Sequence, residues 1–128
     1  MTRGSVLVLD DHPMSRLLLA RVLELEGFDV MEAGCIAIAD RLAHAEQPSL
    51  IVLDVRLPDG DGLEFARRLR SDPTTSECAI LACTAATSLD DEARALDAGC
   101  DAFVGKPIEP RAFPALLASL IGPGSVAA

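Results

Sequence analysis

Short apolar runs that end in polar residues alternate along this chain with segments of helical spacing, and that alternation restricts the fold more than any other feature. Ser5-Val6-Leu7-Val8-Leu9 is too short for a helix and gives way to Asp10-Asp11, so it reads as a strand buried on both faces. From about Pro13 to Glu26 the spacing turns helical, with Leu18, Val22 and Leu25 at i, i+4 and i+7, and Gly27 is placed to stop the helix. Residues 28–31 read as a second strand, 36–45 as a second helix and 50–53 as a third strand. Pro58 to Gly62 is turn chemistry, after which Leu63, Ala66 and Leu69 mark a third helix. Residues 79–83 form the expected fourth strand. Leu89, Ala93 and Leu96 mark a fourth helix between a Ser88 cap and a Gly99 stop. A fifth strand covers 102–104, and Phe113, Leu116, Leu117, Leu120 and Ile121 line a last helix. Pro114 lies four residues after Pro110, so the first turn of that helix is expected to be irregular. Strands in strict alternation with helices imply a parallel sheet covered on both faces, and right-handed crossovers restrict it to a doubly wound α/β sandwich.

A chain of 128 residues, half of them hydrophobic, fits one domain with its own core. With no Trp or Tyr and four Phe, that core is expected to be aliphatic. A net charge of −9 argues against nucleic-acid binding, which needs clustered cations. Arg67, Arg68 and Arg70 share their segment with Glu64 and Asp72 and read as a solvated face. No apolar run reaches the roughly 18 residues of a membrane span, and no signal-peptide pattern opens the chain. A cytoplasmic location without membrane contact is therefore the expectation. Cys35, Cys78, Cys83 and Cys100 lack ligand spacing and read as reduced, buried hydrophobes. Gly122-Pro123-Gly124-Ser125 has the composition of a tail or linker, which sets the expected domain at residues 1–121 and the tail at 122–128.

Ligands of open α/β sheets bind at the carboxyl ends of the strands. Asp10, Asp11, Asp54, Thr84 and Lys106 all end or follow strands there, so the fold gathers three carboxylates, a hydroxyl and an ammonium. Like charges this close need a proton or a cation among them, and Mg²⁺ suits a site of a few carboxylates with water and phosphate oxygens. With Asp54 as nucleophile, an incoming phosphoryl group becomes an acyl phosphate, Lys106 neutralises one phosphoryl oxygen and Thr84 donates to another. Asp10-Asp11 also reads as a helix N-cap pair, and the two roles are compatible. His12 and His44 have no ligand spacing, and His12 reads as solvated loop. Asp59-Gly60-Asp61-Gly62 lacks the first ligand of a calcium loop, because Leu57 stands there, and reads as a turn.

Asp10-Asp11, Ile51-Val52-Leu53-Asp54 followed by Leu57-Pro58-Asp59-Gly60-Asp61-Gly62, Thr84-Ala85 and Phe103-Val104-Gly105-Lys106-Pro107 together resemble the receiver domain of two-component response regulators. The ordered set covers roughly Ser5 to Ile121. The resemblance implies a flavodoxin-like sheet of order 2-1-3-4-5 with five helices. It implies a phosphorylation-dependent signalling switch, not a turnover enzyme, in which Asp54 takes a phosphoryl group from a histidine kinase or histidine phosphotransfer protein. Asp10, Asp11, Asp54 and the backbone carbonyl of Arg56 become Mg²⁺ ligands, with Asp10 acting through water. Thr84 and Phe103 become the pair that couples phosphorylation to the surface of the fourth helix, fifth strand and fifth helix. The peptide between Lys106 and Pro107 becomes cis. A downstream effector protein and a phosphorylation-dependent homodimer are the further partners implied. Met14 and Leu17 on the first helix are an expected docking face for a kinase helix. Phe103 lacks the hydroxyl of the commoner tyrosine, and Arg56 is long enough to reach over the site.

Two other classes compete. A metal-dependent phosphatase or phosphotransferase with an aspartyl intermediate would want a second acid two residues after Asp54, where Arg56 stands. A flavodoxin-like FMN carrier would want a Ser/Thr/Gly-rich loop after the first strand, and Asp10-Asp11 would repel its phosphate.

Overall fold

Five parallel strands form the sheet: β1 (Ser5–Leu9), β2 (Asp29–Ala33), β3 (Leu50–Asp54), β4 (Ala79–Thr84) and β5 (Ala102–Gly105). Their order is β2-β1-β3-β4-β5, a doubly wound sheet as the alternation predicts and in the order that the receiver resemblance implies. The helices are α1 (Pro13–Leu25), α2 (Ile36–Glu46), α3 (Gly62–Ser71), α4 (Leu89–Asp97) and α5 (Phe113–Ile121). The computed structural model describes residues 4–84, 89–106 and 109–121, with the backbone alone at Leu89, Pro110 and Ile121. Ala85, the cap expected at Ser88, the cis peptide expected at Pro107 and the tail expected at 122–128 lie outside the described residues.

Burial explains the sequence pattern. β3 is buried up to Leu53 and β4 throughout, as strands with helices on both faces must be, whereas edge strand β2 exposes Asp29 and Glu32. One face of the sheet carries α2, α3 and α4 over Leu7, Leu9, Ile51, Leu53 and Ile80. The other carries α1 and α5 over Val6, Val8, Val52 and Leu81. Three of the four phenylalanines, Phe28, Phe65 and Phe113, are buried, so the core is less purely aliphatic than expected. Burial pushes the thiol of Cys83 up to about 12 and that of Cys100 up to about 11, so both stay protonated, and all four cysteines are free.

Several boundaries and faces differ from the expectation. β2 begins at Asp29 and runs to Ala33, two residues beyond its expected end. α1 buries Leu19, Ala20 and Leu23, while Leu18 and Leu25 are 62% and 87% exposed. Its leucines form two stripes one residue, or about 100°, apart, and periodicity alone does not choose between them. α4 likewise turns Ala95 inward, with Ala98 just past its end, and leaves Ala93 and Leu96 exposed; small residues let it approach the sheet closely. Gly27 and Gly99 end α1 and α4 as expected. Each has positive φ, and the amides of Gly27 and Phe28 return to Glu24 and Leu23 as those of Gly99 and Cys100 return to Leu96 and Ala95. The irregular start of α5 is a 3₁₀ turn, Pro110–Ala112, and Pro114 falls in the first α-turn, where its missing N–H costs little.

Arg70 is not on a solvated face. Its guanidinium donates to the carbonyls of Gly99 (2.8 Å), Ser76 (2.8 Å) and Cys78, and pairs with Asp101 at 2.7 Å. Asp101 in turn accepts from the amide of Ile80 at 2.8 Å. One forked cation thus ties the end of α3 to the entries of β4 and β5. An Arg70→Lys substitution, which keeps the charge but not the fork, should destabilise the domain by about 1–3 kcal/mol in chemical denaturation.

His44 on α2 faces acceptors with both ring nitrogens: the carbonyl of Asp40 at 2.8 Å and the carboxylate of Asp72 at 2.7 Å. Only the imidazolium can donate to both. The Asp72 hydrogen bond, then that of Asp40, raises His44 above its ordinary 6.5, and the same bond lowers Asp72 below 3.8. Stability from the histidine is complete below 6.5 and is lost as pH rises through its raised value; that from Asp72 is lost as pH falls through its lowered one. The destabilisation caused by His44→Gln should therefore be greatest between these limits and shrink as pH rises through the raised pKa of His44, as read from denaturation midpoints across pH.

Candidate functional site

The strand register brings the predicted residues to one edge. Leu9 pairs with Leu53, Asp54 with Cys83, and Thr84 with Gly105, so Asp10, Asp54, Thr84 and Lys106 leave adjacent strands at the same level. Asp10 is held there by its amide, which donates to Ala33 at 3.1 Å, and Lys106 by its amide, which donates to Thr84 at 2.9 Å. Carboxylate oxygens of Asp10, Asp11 and Asp54 all lie within 4.8 Å of one another. Asp10 is buried, Asp54 half-buried and Asp11 exposed, so the cluster is open on one side.

Lys106 sits between two of these acids, with Nζ 2.7 Å from Asp10 and 3.0 Å from Asp54. The sequence reading gave the whole of the charge compensation to a metal; here an ammonium supplies part of it. Burial pulls the Lys106 pKa down, but the hydrogen bonds to Asp10 and Asp54 outweigh it and leave the group above its usual 10.5. The second oxygen of Asp10 accepts from the amide of His12 at 2.9 Å. The N-cap of α1 is His12 itself, whose Nδ1 accepts from Ser15 at 3.3 Å, so neither Asp10 nor Asp11 caps this helix. His12 is correspondingly a cap residue rather than plain loop.

Arg16 is a site residue that the sequence reading missed. Its Nη1 donates to the Asp10 carbonyl at 2.9 Å and its Nε pairs with Glu32 at 3.2 Å, which fixes the backbone that carries the acids. The available signal was its place one turn into a leucine-rich helix directly after the acidic pair.

Asp54 is fixed from below. Gly62 donates to the Val55 carbonyl at 2.7 Å, and a Cβ added there would lie 2.0 Å from the Asp54 carbonyl, so α3 starts in backbone contact with the acid's own strand. Between Asp54 and α3 the turn forms a small antiparallel hairpin, Arg56–Leu57 against Gly60–Asp61, that turn chemistry alone did not reveal. The Arg56 amide faces Asp54 Oδ1 at 3.4 Å and its side chain is exposed. Asp61 caps α3 through Leu63 at 2.8 Å. Thr84 is buried and Phe103 half-buried. With Ala82 opposite Phe103 and Thr84 opposite Gly105, the two lie on the same face of the sheet.

Hard carboxylate oxygens, close together and partly open to water, fit a hard divalent ion such as Mg²⁺. Elsewhere, a cavity of about 680 Å³ opens at the amino edge of the sheet beside Ser49, Arg70, Thr75 and Asp101, away from this chemistry.

Known proteins resemble this chain in sequence and fold. The sequence pattern of the response regulator receiver domain matches residues 6–118. The phosphate regulon transcriptional regulatory protein PhoB of Pseudomonas aeruginosa is 34% identical over 97% of this chain, which spans 56% of PhoB. The DNA-binding dual master transcriptional regulator RpaA of Synechocystis is 36% identical over 81% of this chain, which spans 43% of it. The polar-differentiation response regulator DivK of Brucella ovis is 30% identical over 92% of this chain and 96% of its own length. Among solved structures, the chemotaxis protein CheY4 of Vibrio cholerae superposes with a TM-score of 0.85 at 25% identity, over 91% of this chain and 98% of that one. A response regulator of Burkholderia pseudomallei with a phosphorylated aspartic acid, a calcium ion and citrate superposes at 0.80 with 28% identity, over 96% of this chain and 69% of that one. Sequence pattern, sheet order and near-full-length relatives agree, and the chain belongs to the response regulator receiver domains of two-component signalling.

Proposed function

We propose that this domain is a switch whose Asp54 accepts a phosphoryl group from a phosphohistidine of a kinase or phosphotransfer protein. The observation that carries the reading is Lys106 hydrogen-bonded to Asp54 and Asp10 within a cluster of carboxylates open on one side. A carboxylate oxygen of Asp54 attacks phosphorus, the P–N bond to the donor imidazole breaks, and the imidazole leaves with the electron pair. Lys106 exchanges part of its contact with Asp54 for a phosphoryl oxygen, and the Thr84 hydroxyl donates to another. Asp11, Asp54 and the Arg56 carbonyl, with Asp10 acting through water, would hold Mg²⁺, which would neutralise charge on the phosphoryl oxygens. Movement of Thr84 toward that group opens space on the face it shares with Phe103, and the side chain of Phe103 turns in. The α4-β5-α5 surface then favours an effector protein or a second copy of the domain. Exposed Met14 and Leu17, at the end of α1 next to Asp11, supply an apolar face for the donor's helix. A donor of this kind places the protein in the cytoplasm; among the described residues no helix is long and apolar enough to cross a membrane.

Turnover as a phosphatase has less support, since Arg56 occupies the place of a second acid. Incubation with Mg²⁺ and a small phosphoramidate donor should leave one acid-stable, base-labile phosphate, absent from Asp54→Asn. Sustained hydrolysis of phosphomonoesters would instead favour the phosphatase.

Lys106→Met should separate two roles. Without a competing cation among the acids, Mg²⁺ should bind at least as tightly by calorimetry, while the phosphorylation rate falls at least about tenfold for want of charge on the phosphoryl oxygen. Weaker Mg²⁺ binding in this variant would contradict the assignment.

A further inference from the structure

The helix α2 has no side-chain cap of its own. Its N-cap residue, Cys35, makes no capping hydrogen bond. The job is done from 23 residues away: Asp59 Oδ1 accepts from the Ile36 amide at 2.8 Å and Oδ2 from the Ala37 amide at 3.1 Å. The hydrogen bond from Ile36, with a smaller one from Ala37, holds the Asp59 carboxyl below its ordinary pKa. Asp59 is at the tip of the small hairpin that begins with Arg56. At the same tip, a Cβ on Gly60 would lie 3.0 Å from Ile36 Cδ1, so the hairpin is in van der Waals contact with the first residue of α2. On its other strand, Asp61 both caps α3 and pairs with Arg94 of α4 at 3.4 Å. The hairpin is therefore suspended between three helices, and Asp59 is its two-pronged attachment to α2.

From this we infer that Asp59 is a positioning residue for the metal loop: its grip on α2 sets where the hairpin presents the Arg56 carbonyl to the ion. The inference rests on the proposed function above, because that carbonyl matters only if the acids hold a cation. A bidentate attachment 23 residues away in sequence is more than a helix cap requires, since a serine at Cys35 would cap α2 locally. What the long-range contact adds is a fixed distance between α2 and the loop that follows Asp54. Groups that orient ligands in this way typically carry a ten- to hundredfold effect on metal affinity.

The test separates capping from positioning. Mg²⁺ affinity by calorimetry and the thermal midpoint are measured for the wild type, Asp59→Ala, Asp59→Asn and the double variant Cys35→Ser/Asp59→Ala. Asp59→Ala should bind Mg²⁺ roughly tenfold more weakly, with Asp59→Asn between it and the wild type, because an amide oxygen keeps one of the two bonds. The double variant should regain the midpoint by capping α2 locally, yet remain weak for Mg²⁺. Recovery of both properties in the double variant would reduce Asp59 to a cap and overturn the inference. So would wild-type affinity in Asp59→Ala. Should Asp59→Ala not fold, Asp59→Asn and the double variant carry the same comparison. A wild type with no Mg²⁺ affinity would overturn the functional reading itself, an outcome distinct from either.

Discussion

The ammonium of Lys106 between Asp10 and Asp54 is the contact on which the rest of the site depends. Two carboxylates this close at the end of a parallel sheet repel each other strongly, the more so because Asp10 is buried. A proton on one of them would relieve the repulsion but would remove the charge from a carboxylate that the proposed function uses. The Lys106 ammonium, just past the end of β5, instead sets a positive charge between them. Because the ammonium is a mobile point charge and not a rigid fork, it can be shared with an incoming anion without dismantling the site.

That contact also joins the two ends of the chain. Lys106 follows the last strand and Asp10 the first, and the bond spans 96 residues. The crossovers of a doubly wound sheet place such distant residues on one edge, which is why the constellation was legible as a spaced set of strand endings. Asp10, Asp11, Asp54 and Lys106 all meet where expected, since each needed only a strand and its direction. The cap role offered for Asp10-Asp11 was not borne out, because the helix starts one residue later than a cap at Asp11 requires.

What the sequence hid were relations between elements. Whether α1 buries Leu18 or Leu19 depends on the rotation of the helix about its axis, which entry and exit geometry settle and leucine spacing does not. Arg70 reads as one of three surface arginines, and only the folded chain reveals four acceptors converging on it. Asp59 reads as part of a turn, and its partners on α2 are 22 and 23 residues away. Local patterns carry secondary structure and register; side-chain contacts across loops leave no periodic trace.

Arg70 has a consequence for how the domain deforms. At the amino edge of the sheet it stitches α3, the approach to β4 and the approach to β5 into one block, whereas the carboxyl edge is tied at separate points by Lys106, Arg16 and Asp59. The two rims are thus held differently, one by a shared hub and the other by separate ties. Loss of the one arginine would therefore free three segments together, whereas loss of any one tie at the acidic rim would leave the others in place.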